Sequence, residues 1–189
     1  MLTEEPSAKD LLDGLLPRLL PAGWTFRCIP YEGKQDLEKR MGLLLRVWRN
    51  PEAQFLILRD QDSGDCHAIK ADLMERCHAA GRRNSLVRIA CRELEAWVIG
   101  DLPAFADEFS APAAAKARNK AKFRNPDLLG SPVTELRQFV SGYQKRDGAR
   151  RMGLRLDAAS NQSPSFLGCC RFRRHHLKLI ASVARTESG

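Results

Sequence analysis

Asp60 and Asp62, one residue apart, close a short apolar run, Gln54-Phe55-Leu56-Ile57-Leu58-Arg59. Carboxylate oxygens are the hard donors that Mg²⁺ and Mn²⁺ take, and side chains of like facing at this spacing could share one ion. The run is bounded by a Ser63-Gly64 turn and reads as a buried strand of a parallel sheet. Open α/β sheets bind ligands in the loops at the carboxyl ends of such strands. The competing reading is a polar strand-to-helix turn in which Asp62 or Ser63 caps the next helix. Two further acidic clusters bear on the choice. Glu4-Glu5 stands where a first strand would end, and Glu93 and Glu95 follow a strand-like run over residues 85–90. Three acidic strand ends on one edge of a parallel sheet converge by topology alone. Phosphoryl transfer with two ions about 4 Å apart needs carboxylates clustered in this way.

The elements that must position these acids alternate. Residues 7–20 carry Leu11, Leu12, Leu15, Leu16 and Leu19 at helical spacing, with Ser7 as a cap. Residues 24–29 read as a strand closed by Pro30. A helix over 34–49 follows, with Leu37, Met41, Leu44, Leu45 and Trp48 on one face. Then come the strand at 54–58, a helix at 68–80, the strand at 85–90 and a helix at 93–99. This alternation implies βαβ units and a mainly parallel sheet of about four strands, with helices on both faces. Beyond Gly100 the pattern is helical, over 102–109, 111–124, 133–140 and 164–183, and no strand follows Ala90. The expected organisation is an α/β core over residues 1–100 and a basic, mainly helical extension over 101–189 packed on it.

Charge divides along the same line. Residues 1–110 hold 15 Lys/Arg against 18 Asp/Glu, a net of −3, and residues 111–189 hold 16 against 5, a net of +11. An acidic half joined to a basic half suits a protein that holds a cation at one place and a polyanion at another. The expected contacts to a DNA or RNA backbone are Lys116, Lys120, Lys122, Arg124, Arg150, Arg151, Arg171, Arg173 and Arg174. Phe123 and Phe172 read as core residues, so base stacking is secondary.

Other classes fit less well. No apolar run approaches the ~18 residues of a membrane span, and the acidic amino terminus argues against a secretory signal. The expected location is the cytoplasm, where the six cysteines read as reduced, buried side chains. Cys169-Cys170 followed by His175-His176 matches no standard zinc spacing. Gly33-Lys34 alone makes no phosphate-cradling loop, which weakens a small-molecule phosphotransferase reading.

Glu4, followed by helix, strand, helix and strand and then by Asp60-Gln61-Asp62, resembles the order of the Toprim domain of topoisomerases, bacterial primases and overcoming-lysogenization-defect nucleases. Arg92-Glu93-Leu94-Glu95-Ala96-Trp97, running into Gly100-Asp101-Leu102, resembles the prokaryotic, Toprim-like domain of unknown function 4276 family. The first resemblance covers about residues 1–100, the second the whole chain. Together they imply a Toprim-like (Rossmann-like) fold and a Mg²⁺- or Mn²⁺-dependent nuclease. Asp60 and Asp62 would then be ion ligands and Glu4 a ligand or general acid/base, while Glu93 or Glu95 would complete a second ion site. They also imply an ATPase partner encoded nearby, in a phage-defence or mobile-element context. The alternative they leave open is a catalytically inactive nucleic-acid-binding or interaction subunit of that ATPase. Glu32, in Tyr31-Glu32-Gly33-Lys34, competes with Glu4, but only one helix and one strand separate it from Asp60. It is therefore read as opening the second helix, with Glu5 kept as the off-by-one alternative to Glu4. The first strand, Met1-Leu2-Thr3, is short for a Toprim domain, so it is either truncated or begins upstream of Met1.

Overall fold

Strand β3 (Leu56–Asp60) is the spine of the protein, buried along its whole length. A computed structural model describes residues 1–171. The expected end of the last helix and Phe172, Arg173, Arg174, His175 and His176 lie outside the described residues. Four strands form one sheet in the order β2-β1-β3-β4, parallel throughout. The others are β1 (Leu2–Thr3), β2 (Ile29–Pro30) and β4 (Leu86–Ala90). In the register, Thr3 lies opposite Leu58 and Asp60 opposite Ala90. The expected α/β sheet of four parallel strands flanked by helices is therefore the observed one.

Side chains alternate across β3. Leu56 and Leu58 enter one apolar cluster and Ile57 enters a second on the opposite face. Helix α1 (Pro6–Leu19) covers the first face, while α2 (Lys34–Val47) and α3 (Cys66–Ala79) cover the other. The right-handed crossover rule accounts for this split. The step from β1 to β2 runs one way along the sheet, whereas the steps from β2 to β3 and from β3 to β4 run the other way. The chain thus reverses direction between β1 and β3, which makes the gap between their carboxyl ends a topological switch point.

Six more helices follow among the described residues: α4 (Glu95–Ile99), α5 (Leu102–Phe109), α6 (Pro112–Ala117), α7 (Pro132–Phe139), α8 (Lys145–Gly153) and α9 (Pro164–Cys170). No strand occurs after Ala90 among the described residues. Their apolar side chains, including Trp97, Phe105, Leu136, Met152 and Phe166, share the α1 cluster with Leu56 and Leu58. The helical half thus completes the core that the first half begins.

Some elements depart from expectation. Only Ile29 and Pro30 of the run 24–30 pair as strand, because β1 offers only Leu2 and Thr3 to pair with. Residues 111–124 hold a short α6 and then a 3₁₀ turn at Ala121–Phe123, not one helix. The cap of α3 is Asp65, not Asp62 or Ser63: its Oδ1 accepts from the His67 and Ala68 amides at 2.7 and 3.2 Å. The six cysteines are free. No helix among the described residues is long and apolar enough to cross a membrane.

Candidate functional site

Glu4 and Asp60 flank the switch point, each at the carboxyl end of its strand. The Glu4 amide donates to Leu58 O at 3.1 Å, and the Asp60 amide donates to Glu4 Oε2 at 3.1 Å. Backbone alternation then sends their neighbourhoods apart. Arg59, on the α2 side, is 9 % exposed at its side chain; it binds Glu38 Oε1 at 2.6 Å and stands 3.6 Å from Glu4 Oε2. Its Nε has no hydrogen-bond partner. Asp60 points to the opposite face, among groups carried by α1, α4 and α8.

Asp62 does not share that position. It lies past the strand in the left-handed region, at φ 54°, and its amide donates to Arg92 O at 2.9 Å. Its exposed carboxylate meets Lys34 Nζ, at the start of α2, at 3.1 Å. The two aspartates therefore diverge, because the turn after β3 rotates Asp62 out of the strand's alternation.

The α4 and α8 side is more enclosed. Glu95, the first residue of α4, is 1 % exposed, and its Oε2 lacks a hydrogen-bond partner. Lys145, the first residue of α8, brings Nζ to 3.4 Å from that oxygen. Glu5, the cap residue of α1, takes a hydrogen bond from the Ser7 hydroxyl at 2.5 Å. Glu93 is otherwise engaged: its Oε2 accepts from the Val133 amide at 3.0 Å, in the first turn of α7.

Electrostatics bind these groups into one unit. Burial lifts the pKa of Asp60 well above its ordinary value, and the charges of Glu5, Glu95 and Glu4 add to the rise against Lys145. Burial likewise raises Glu95, with Lys145 opposing. For Glu4, burial raises the pKa, the Asp60 amide lowers it and the Asp62 charge raises it again. Burial pulls Lys145 down, yet the combined field of Glu95, Glu5, Glu93 and Asp60 carries it above its ordinary value. Among the described residues, no three His, Cys, Asp or Glu side chains stand in a group that could hold one metal ion. Asp60, Glu95 and Glu5 on one side, and Glu4 and Asp62 on the other, carry carboxylate oxygens, the donor type that hard cations take, but they are not gathered around one point. Glu95 Oε2 is a buried acceptor lacking a hydrogen-bond donor. Lys145 and Lys34 pair with Glu95 and Asp62 at 3.4 and 3.1 Å.

Residues 3–171 match the family model described as domain of unknown function (DUF4276). The chain belongs to that family. No curated protein and no solved structure matches it.

The basic residues of this DUF4276 chain divide into two kinds. Lys116, Lys120, Lys122, Arg124, Arg150 and Arg171 are exposed. Of these, Lys122 reaches Glu135 at 2.7 Å and Arg150 reaches Asp147 at 2.5 Å. Arg151 is half-buried, bound to Glu108 at 2.9 Å and set over the Phe109 ring at 3.9 Å from its centroid, so it braces α8 against α5. Phe123 is buried against Phe139, in keeping with a core role. Glu32 is exposed and precedes Gly33, the cap of α2. Two members of the site carried no motif. Lys145 lies in a stretch with no acidic strand end near it, and its approach to Glu95 depends on how α8 crosses α1. Arg59 did leave a signal, as a charge inside a buried run.

Proposed function

We propose that this DUF4276 chain is a divalent-cation-dependent, Toprim-like phosphoryl-transfer protein that acts on nucleic acid as a nuclease. One observation carries the reading: Glu4 and the buried Asp60 flank the switch point of a parallel sheet, with Glu95 and Glu5 close enough to raise the Asp60 pKa. Bound Mg²⁺ or Mn²⁺ would supply Lewis-acid stabilisation of charge developing on the phosphoryl oxygens. Asp60 and Glu95, with Glu5 near them, are the side chains that would hold it, whereas Asp62, expected as a ligand, is turned away to Lys34. Glu4, its carboxyl raised by burial, would hold or pass a proton closer to neutrality than an ordinary glutamate does. Arg59 orients Glu4 from below. Exposed Lys116, Lys120, Arg124 and Arg171 would hold the phosphate backbone, neutralising it without reading sequence.

A second reading has its own support. The pairing of Lys34 with Asp62 and of Lys145 with Glu95 leaves the acids neutralised from within. That arrangement suits an inactive nucleic-acid-binding subunit of an ATPase partner, in the phage-defence or mobile-element setting that the Toprim resemblance implies. Cleavage of single- and double-stranded DNA and RNA with Mg²⁺ or Mn²⁺ separates the two. Under the nuclease reading, the wild type cuts and Asp60→Asn does not, while the variant still binds. Wild type that never cuts, with the neighbouring ATPase present, overturns the nuclease reading.

A further inference from the structure

We infer that strand β1 runs on ahead of Met1 for about four residues, seated in a slot at the amino edge of the sheet. The slot encloses about 540 Å³ between two stretches of chain, residues 24–27 on the β2 side and 52–55 on the β3 side. Met1 and Leu2 close its inner end, and Trp24, Phe26, Trp48 and Phe55 line it. The sheet register explains its shape. Strand β1 lies between β2 and β3, with Leu2 opposite both Ile29 and Ile57. One step back along all three strands, Met1 falls between Cys28 and Leu56. Residues 24–27 and 52–55 therefore flank the line that β1 itself would follow.

Hydrogen bonds at Met1 fix the direction. Its carbonyl accepts from the Ile29 amide at 2.9 Å, and its amino group donates to Arg27 O at 2.6 Å. These are the two bonds that one residue of a parallel strand makes to a neighbour, so the amino group stands where a peptide N–H would. Burial pulls the pKa of that ammonium down, as suits a charge held where a neutral amide fits. Successive residues of a parallel strand turn their backbone groups to alternate neighbours. The residue before Met1 would thus offer its carbonyl to the Leu56 amide, and the one before that to the Arg27 amide. A separate peptide fits less well. Its terminal carboxylate would stand a non-bonded distance from the Met1 nitrogen, not one bond away, and would break this register. Side-chain alternation sets the chemistry of the segment. The residue next to Met1 shares the face of Leu2 and Phe55, and the one before it the face of Met1 and Leu20. Apolar, strand-forming side chains suit both places. Glu4 follows β1 directly, so the extension also steadies the switch point, whatever chemistry occurs there.

The test begins with the protein made from its own gene, upstream region intact, and weighed by intact mass spectrometry. It should be heavier than the chain from Met1 by several residues. The two forms are then compared by thermal melting and by amide exchange read by nuclear magnetic resonance. The longer form should melt several degrees higher, with exchange at the Arg27 and Leu56 amides slowed on the order of tenfold or more. A third form, with as many Gly and Ser residues ahead of Met1, should gain much less of either. A native chain that begins at Met1 overturns the inference. Equal gain in the Gly-Ser form overturns it too, since the gain then comes from losing the ammonium. So does a longer native chain in which exchange at Arg27 and Leu56 is unchanged.

Discussion

A carboxylate as deeply enclosed as Asp60, with three others acting on it, is a liability to the metal-free fold. Its pKa in the folded protein lies above the unfolded value of about 4. Its contribution is therefore full below the unfolded pKa and is lost as pH rises through the folded pKa. Metal-free protein should melt at a higher temperature as pH falls through that raised value toward about 4, before general acid unfolding sets in. Asp60→Asn should remove much of this slope and raise the melting temperature at neutral pH by ~2–4 °C for each kcal/mol relieved. Melting curves in EDTA across pH check both, and a variant that melts lower than wild type at neutral pH would contradict the burial argument. Arg59 presents the opposite case. It is a buried cation between Glu38 and Glu4, so Arg59→Met leaves two carboxylates without their partner. A loss of about 3 kcal/mol in urea unfolding is expected.

At the scale of elements, chemistry depends on how α8 crosses α1. The crossing admits no side chain at Gly153, where a Cβ would strike the Leu11 carbonyl. Gly153→Ala should cost about 1–3 kcal/mol through overpacking and should weaken the contact of Lys145 with Glu95. Gly142→Ala, with nothing within 4 Å of its Cβ, is the matched control and should shift stability by less than about 0.5 kcal/mol. Urea midpoints of the two variants measured together make the comparison. The same crossing explains what the sequence could and could not reveal. Strand β3 was legible from its apolar run, and α5 (Leu102–Phe109) from the Asp101-Leu102-Pro103 start, because those signals are local. The divergence of Asp60 and Asp62 was not legible, since the left-handed turn at Asp62 falls on a non-glycine residue. Nor was Lys145, because Gly14 and Gly153, far apart in sequence, set its approach. Residues 24–28 read as strand by composition, but the two-residue β1 leaves them nothing to pair with.

Across the whole molecule, the segregated charge sets how nucleic acid would be met. The net of +11 over residues 111–189 overstates the free positive surface. Arg151 and Arg155 both serve Glu108, at 2.9 and 2.7 Å, and Arg118 donates to Ser160 O at 3.0 Å. Lys116, Lys120 and Arg124 are exposed beside the 3₁₀ turn that packs Phe123 into the core. If these are the backbone contacts, the logarithm of the binding constant should fall linearly with the logarithm of salt, by ~0.9 for each phosphate neutralised on duplex DNA. Replacing Lys120 and Arg124 together by alanine should flatten that slope by about 2 while leaving the melting temperature unchanged. Arg151→Ala should do the reverse. It should lower the melting temperature, because the Glu108 pair and the Phe109 contact are lost, and leave the slope nearly intact. Fluorescence anisotropy on one labelled duplex at several salt concentrations, with melting curves of the same variants, reads both quantities. A slope near zero in wild type would remove the polyanion from the proposed function while leaving the acidic site untouched, since the two lie on different halves of the charge distribution.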